Sequence, residues 1–175
     1  LQDCTSVGNT NSGFEGGMMT MIFNCSASDN GGNGIEVGLY ALASGNIAND
    51  NQLYGITVGT GSRVERNLVV NNFGGGIHAA VESRVQENQV LHNTGPGIYA
   101  RASARIDGNH VVGNSAGLQS EGVDKASLFV GNTAVGKTTN FVTTAYANFG
   151  QIVATNDLGT NFSLPNPWAN FDLQP

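Results

Sequence analysis

Five residues able to hold ligands or move protons fall 21 positions apart: Glu15, Glu36, Thr57, His78 and Tyr99, followed by Gln119 after 20. Arg101 and Glu121 form a shorter column two residues further along. A histidine beside a tyrosine is the outline of a general acid–base pair. Two carboxylates on neighbouring repeats, Glu15 and Glu36, could share a cation or a proton. The catalytic candidates are therefore Glu36, His78, Tyr99 and Arg101. The wider binding set is Glu15, Glu36, Thr57, His78, Tyr99, Arg101 and Gln119.

Arg63, Arg84 and Arg105 make a second chemical column. Like charges in register repel unless acids or an anionic ligand intervene. Glu65 and Asp107 point to the same side, and Glu82 and Glu87 are near. The column is either a self-neutralised face or an alternative strip for an acidic polysaccharide, because arginine forks match carboxylates. Nucleic acid is not an expected partner: the net charge is −6, and residues 1–62 hold five acids and no Lys or Arg, whereas phosphate binding needs a positive field. Cys4 and Cys25 lie one repeat apart, which would set their Cα atoms about 5 Å apart, within disulfide range. They could bond, or stand as two buried thiols, since parallel neighbours in register point the same way. No zinc-ligand spacing appears, and no metal or cofactor is expected. No run is apolar enough for a membrane span. His92 and His110 fall in turn and third-strand positions, away from the mixed row.

What would position these columns is a repeat. Gly13, Gly34, Gly55, Gly76 and Gly97 are spaced by 21, Gly117 comes one residue early, and a large apolar residue follows each: Phe14, Ile35, Ile56, Ile77, Ile98 and Leu118. Asn46, Asn67, Asn88 and Asn109 share one further column, which Cys4 and Cys25 extend backwards. Asn30, Asn51, Asn72, Asn93 and Asn114 share another, with Asn9 before them. Each unit reads as three short strands separated by Gly, Ser, Thr and Asn, the residues of tight turns. About 21 residues suffice for one turn of a three-sided coil. Isoleucines 35, 56, 77 and 98 point inward, as do Val64, Val85 and Ile106, and Val69, Val90 and Val111. One coil cannot bury these faces alone, so the unit repeats. Asn is expected at the corners for its tolerance of left-handed backbone and its amide bonding. Gly is expected where a side chain would clash or φ must be positive. Asn132 falls three residues late against Gly117, which predicts an insertion near Glu121 to Lys125.

The run Asn-x-Val-x-x-Asn-x-x-x-Gly-Ile, as in Asn88 to Ile98, resembles the repeat of right-handed parallel β-helix proteins. These include pectate lyases, polygalacturonases, alginate epimerases and many uncharacterised secreted bacterial proteins. The resemblance covers about residues 4–136. It implies an all-β, right-handed single-stranded parallel β-helix of about 6–7 coils, and a secreted or cell-surface bacterial location. It also directs attention to the outer face of the first strand, where the enzymes of this superfamily work. Their motifs are missing: there is no calcium-binding Asp cluster, no Asp-Asp or Gly-His-Gly, and no Asp-Pro-His. The segment Asn166–Phe171 resembles the C-terminal end of uncharacterised bacterial members.

Two parts are expected: coils over 1–137, and an aromatic-rich capping segment over 138–175 in which Trp168 covers an open solenoid end. The mid-repeat start suggests further coils or a cap upstream. Three functions fit. The first is a non-catalytic polysaccharide-binding or scaffold domain. The second is a polysaccharide lyase or glycoside hydrolase acting on an acidic polymer. The third is a phage-fibre or adhesin domain. Ice binding is excluded, because Thr57 stands alone in its column.

Overall fold

The computed structural model describes residues 1–121, 126–135, 139–143, 147–149, 152–154 and 168–172. These form an all-β parallel solenoid of about six turns, with no helix among them. Each turn contributes one strand to each of three parallel sheets. Sheet I begins Phe14–Gly16, Ile35–Val37, Tyr54–Val58 and Gly75–Ala79, sheet II begins Met21–Phe23 and Leu42–Ser44, and sheet III begins Thr5–Val7 and Ser26–Ser28. The register is 21 throughout the central coils: Ile56 pairs with Ile77, Val64 with Val85, and Val69 with Val90. The predicted inward residues are inside. Ile35, Ile56, Ile77, Ile98, Val64, Val85, Ile106, Val69, Val90 and Val111 are all fully buried. Burying each such side chain is worth about 1.5–3 kcal/mol, available only once the next coil covers it.

Both asparagine columns form continuous internal ladders. Asn67 Nδ2 donates to Asn88 Oδ1 at 2.9 Å, and Asn88 Nδ2 to Asn109 Oδ1 at 2.9 Å. The second ladder runs from Asn9 through Asn30, Asn51, Asn72 and Asn93 to Asn114. One part of the corner reading is corrected. The ladder asparagines are not the left-handed residues; the residue before each one is. Asp29, Asp50, Asn71 and His92 precede one ladder, Gly45, Arg66, Glu87 and Gly108 the other, all at positive φ. The turn is made one step earlier, which leaves the asparagine free to aim its amide inward. The glycine beat serves clearance and not φ: a Cβ on Gly34 would lie 2.6 Å from the Gly55 carbonyl and 2.7 Å from Asn51 Nδ2.

The insertion falls where the register predicts. Arg101 pairs with Glu121 at an offset of 20, while Arg105 pairs with Leu128 at 23. Residues 122–125 lie outside the described residues. Strand pairing continues past residue 137, the boundary expected for the coils: Thr139–Thr143 joins sheet I and Ala147–Phe149 joins sheet II. The expected aromatic cap over 138–175, Tyr146 and Phe162 included, falls largely outside the described residues. Besides those two strands, a further part of it is placed. Strand Asn170–Asp172 lies in sheet III between Thr133–Val135 and Ile152–Ala154. Asn132 Nδ2 donates to Asn170 Oδ1 at 3.0 Å, so Asn170 takes the next rung from 38 residues away. Trp168 is exposed, and its carbonyl accepts from the Gly131 amide at 3.1 Å.

The two cysteines are free thiols, which corrects the disulfide alternative. They occupy the first two rungs of the asparagine ladder. Cys25 N donates to Asn46 Oδ1 at 2.8 Å and Cys4 N to Cys25 Sγ at 3.4 Å. Each thiol donates to a carbonyl two residues back, Cys4 to Gln2 and Cys25 to Phe23, so the sulfurs share one orientation.

Candidate functional site

Sheet I brings the mixed row together in the predicted order. Glu15 pairs with Glu36, Glu36 with Thr57, Thr57 with His78, His78 with Tyr99, and Tyr99 with Gln119. The neighbours on each strand, Ile35 and Val37 or Ile77 and Ala79, are buried, which turns the row outward. Beside it runs a strip with almost no side chains: Gly17, Gly38, Gly59 and Ala80. The strip ends at Arg101 and Glu121, which sit in register. Its far end is a shallow depression lined by Glu15, Gly16, Gly17 and Glu36.

The row divides into two chemical halves. In the acidic half, Glu36 Oε2 accepts from Asn33 Nδ2 at 2.8 Å and from Ser12 Oγ at 3.0 Å. Asn33 also accepts from the Tyr54 amide at 3.0 Å. Glu36 is thus held by neutral donors, with no cation within ion-pair distance among the described residues. In the other half, His78 lies between two aromatic rings. Its centroid is 5.5 Å from Tyr54 and 5.3 Å from Tyr99, with interplanar angles of 36° and 37°. The rings are tilted, as aromatic quadrupoles prefer over face-to-face stacking. Burial, and then the Arg101 charge, hold the His78 imidazole below its ordinary pKa. Burial pushes the Tyr54 phenol up. His78 is therefore a neutral imidazole at pH 7, able to accept a hydrogen bond or a proton.

Tyr54 has no place in the sequence-based set. Strict alternation with inward Ile56 and Val58 would turn it inside. The structure breaks the alternation at the glycine column: a Cβ on Gly55 would run into Val69 and Asn72, so Gly55 and Ile56 are consecutive inward positions. Tyr54 is left on the surface side of the bend, against His78. The hint available in the sequence is the strand's glycine itself, since glycine in a strand marks a bend or a close approach.

The arginine column on sheet II is matched by carboxylates. Arg63 Nε is 3.9 Å from Glu65, Arg84 is 3.9 Å from Asp107, and Arg105 is 2.9 Å from Asp107. Arg66 bridges Glu65 and Glu87. Arg101 differs: it is exposed and makes no ion pair among the described residues. His92 occupies a left-handed corner and His110 starts a sheet III strand, both away from the row. Among the described residues no group of three or more His, Cys, Asp or Glu could hold a metal ion, and no helix is long and apolar enough to cross a membrane.

Comparison with known proteins agrees with this architecture. Residues 2–84 match the family described as the right handed beta helix region. None of the curated proteins matches the chain. Among solved structures, a double mutant of the periplasmic alginate epimerase AlgG is similar, with a TM-score of 0.75 and 14% sequence identity. That similarity covers 83% of this chain and 43% of the AlgG chain, so the present chain spans less than half of that protein's length. The chain shares the fold of the parallel β-helix proteins.

Proposed function

We propose that the chain is a non-catalytic polysaccharide-binding domain that receives an acidic polysaccharide along the outer face of sheet I. The observation that carries this reading is the Tyr54–His78–Tyr99 stack abutting Arg101. The aromatic faces offer flat apolar area to sugar rings. The exposed guanidinium offers a fork for a uronate carboxylate. The glycine strip leaves a track on which a linear chain can lie along the solenoid axis. The matched arginines of sheet II offer less, because a polyanion there must displace carboxylates already in place. The similar AlgG structure supports the class of ligand, since its name ties the same scaffold to alginate. Its periplasmic location fits a location outside the cytoplasm for this chain as well.

The test is binding to uronic-acid polymers and to their neutral counterparts. The uronic-acid polymers should bind, and Arg101→Gln should weaken them about tenfold, the size of one charge-assisted contact. Arg84→Gln, on the matched face, should leave binding unchanged. No binding to any glycan sinks the reading.

A second reading rests on His78. A neutral imidazole beside an arginine that could hold a carboxylate is arranged to take a proton from the neighbouring carbon, as a polysaccharide lyase requires. Release of unsaturated ends from a uronic-acid polymer, abolished by His78→Ala, would establish it.

A further inference from the structure

The corner between sheets I and II carries a different surface. In the second and third coils it exposes Met18, Met19, Met21, Leu39 and Tyr40, at 60%, 67%, 56%, 42% and 60% of their full areas. No charged residue interrupts them. Contiguous exposed apolar side chains of this size mark interaction sites on soluble proteins. Backbone conformation makes a second, independent case. Met19 and Tyr40 hold the left-handed corner at φ 59° and 56°, the column that Gly61, Glu82 and Ser103 fill in later coils. A large apolar residue gains nothing from exposure and is strained at that φ. Two of them in succession keep the most costly backbone position for the most water-averse side chains.

Another coil stacked in front would not cover this patch. Leu39 and Tyr40 already have coils on both sides, with Gly38 bonded to Gly17 and Tyr40 to Thr60 through backbone amides, and they remain exposed. Their side chains point away from the axis. A second copy of the chain fits poorly, because Glu15 and Glu36 stand on the two sheet I strands that lead into the corner and line the depression that reaches Gly17, beside Met18. Bringing two such corners together sets the same carboxylates beside one apolar centre. The complement is a surface with apolar anchors and a basic rim.

We propose that this corner is a docking site for a cationic amphipathic segment of another protein, with the methionines adapting to its apolar face and the adjoining Glu15 and Glu36 matching its lysines or arginines. The probe is a synthetic helical peptide with Leu on one face and Lys on the other, compared with its Leu/Glu counterpart by fluorescence anisotropy on the full chain. The expected result is binding of the Leu/Lys peptide only, weakened at least tenfold in the Met19→Gly/Tyr40→Gly variant. Glycine accepts the left-handed corner, so that variant keeps the coil and should unfold no more easily than the parent. Met18→Ser/Leu39→Ser should weaken binding similarly without touching the corner φ. Absent binding, equal binding of the Leu/Glu peptide, or unchanged affinity in both variants overturns the proposal. So does self-association of the parent chain that the variants abolish, which would give the patch to a second copy.

Discussion

Asn88 uses its whole side chain inside the coil. It accepts from the Asn67 amide at 3.0 Å and side chain at 2.9 Å, and donates to Val64 O at 3.0 Å, Gln86 O at 2.9 Å and Asn109 Oδ1 at 2.9 Å. Asn88→Ala strands several buried groups at once and should cost about 3–5 kcal/mol, read from urea denaturation. Asn9→Ala, at the exposed end of its ladder, should cost under about 1 kcal/mol. Equal losses would show that ladder position does not matter. His78 makes a pH prediction. Its folded pKa is depressed below 6.5, so between that depressed value and 6.5 the unfolded chain binds more protons than the folded one. Stability relative to His78→Gln should therefore be level above about pH 6.5 and fall as pH drops through that window. Arg101→Gln should move the His78 midpoint upward in an NMR titration, because a repelling cation has gone. A midpoint that stays put would remove Arg101 as a cause.

A strand in this molecule is three to six residues long, so its stability rests on how closely coils approach. Gly34→Ala places a Cβ against a backbone carbonyl that cannot turn aside, and should cost about 1–3 kcal/mol. Gly17→Ala meets nothing within 4 Å and should be near neutral or slightly stabilising. The two melting curves separate clearance from flexibility as the reason for glycine. The inward columns, both ladders, the sheet I row and the insertion after Glu121 were legible because one coil repeats. A residue at the same phase meets the same neighbours, and the neighbours are copies of itself. What escaped lies where that rule lapses. Tyr54 was missed because Gly55 interrupts the alternation of its strand. The left-handed residue was misplaced by one because Asp, Asn, Arg, Glu and His all fill that position, so no single type announces it. Asn170 was missed because its rung is 38 residues from Asn132 and shares no phase with the beat.

Across the whole molecule, cohesion is local: each coil is bonded to its two neighbours, and energy adds along the axis. Removing the last internal rung should therefore loosen one end only. In Asn170→Ala, hydrogen exchange should speed up at the amides of Gly131 and Asn132, which donate to Trp168 O at 3.1 Å and Asn170 Oδ1 at 3.1 Å. The Asn67 amide, four coils away, should keep its protection. Uniform loss along the chain would mean the solenoid melts as one cooperative block.

The strand Asn170–Asp172 also sets an order of events during synthesis. It lies directly against Thr133–Val135, yet 34 residues separate the two, and Ile152–Ala154 emerges between them. At roughly 5–20 residues per second, the ribosome delivers the inner strand about 2–7 s after its seat is exposed. During that interval Ile152–Ala154 can pair with the open edge of Thr133–Val135 and must later give way. The earlier coils can wind on as they appear; the final turn has to wait, and a nascent chain paused in this window would carry an unsealed edge into contact with its neighbours on the same message.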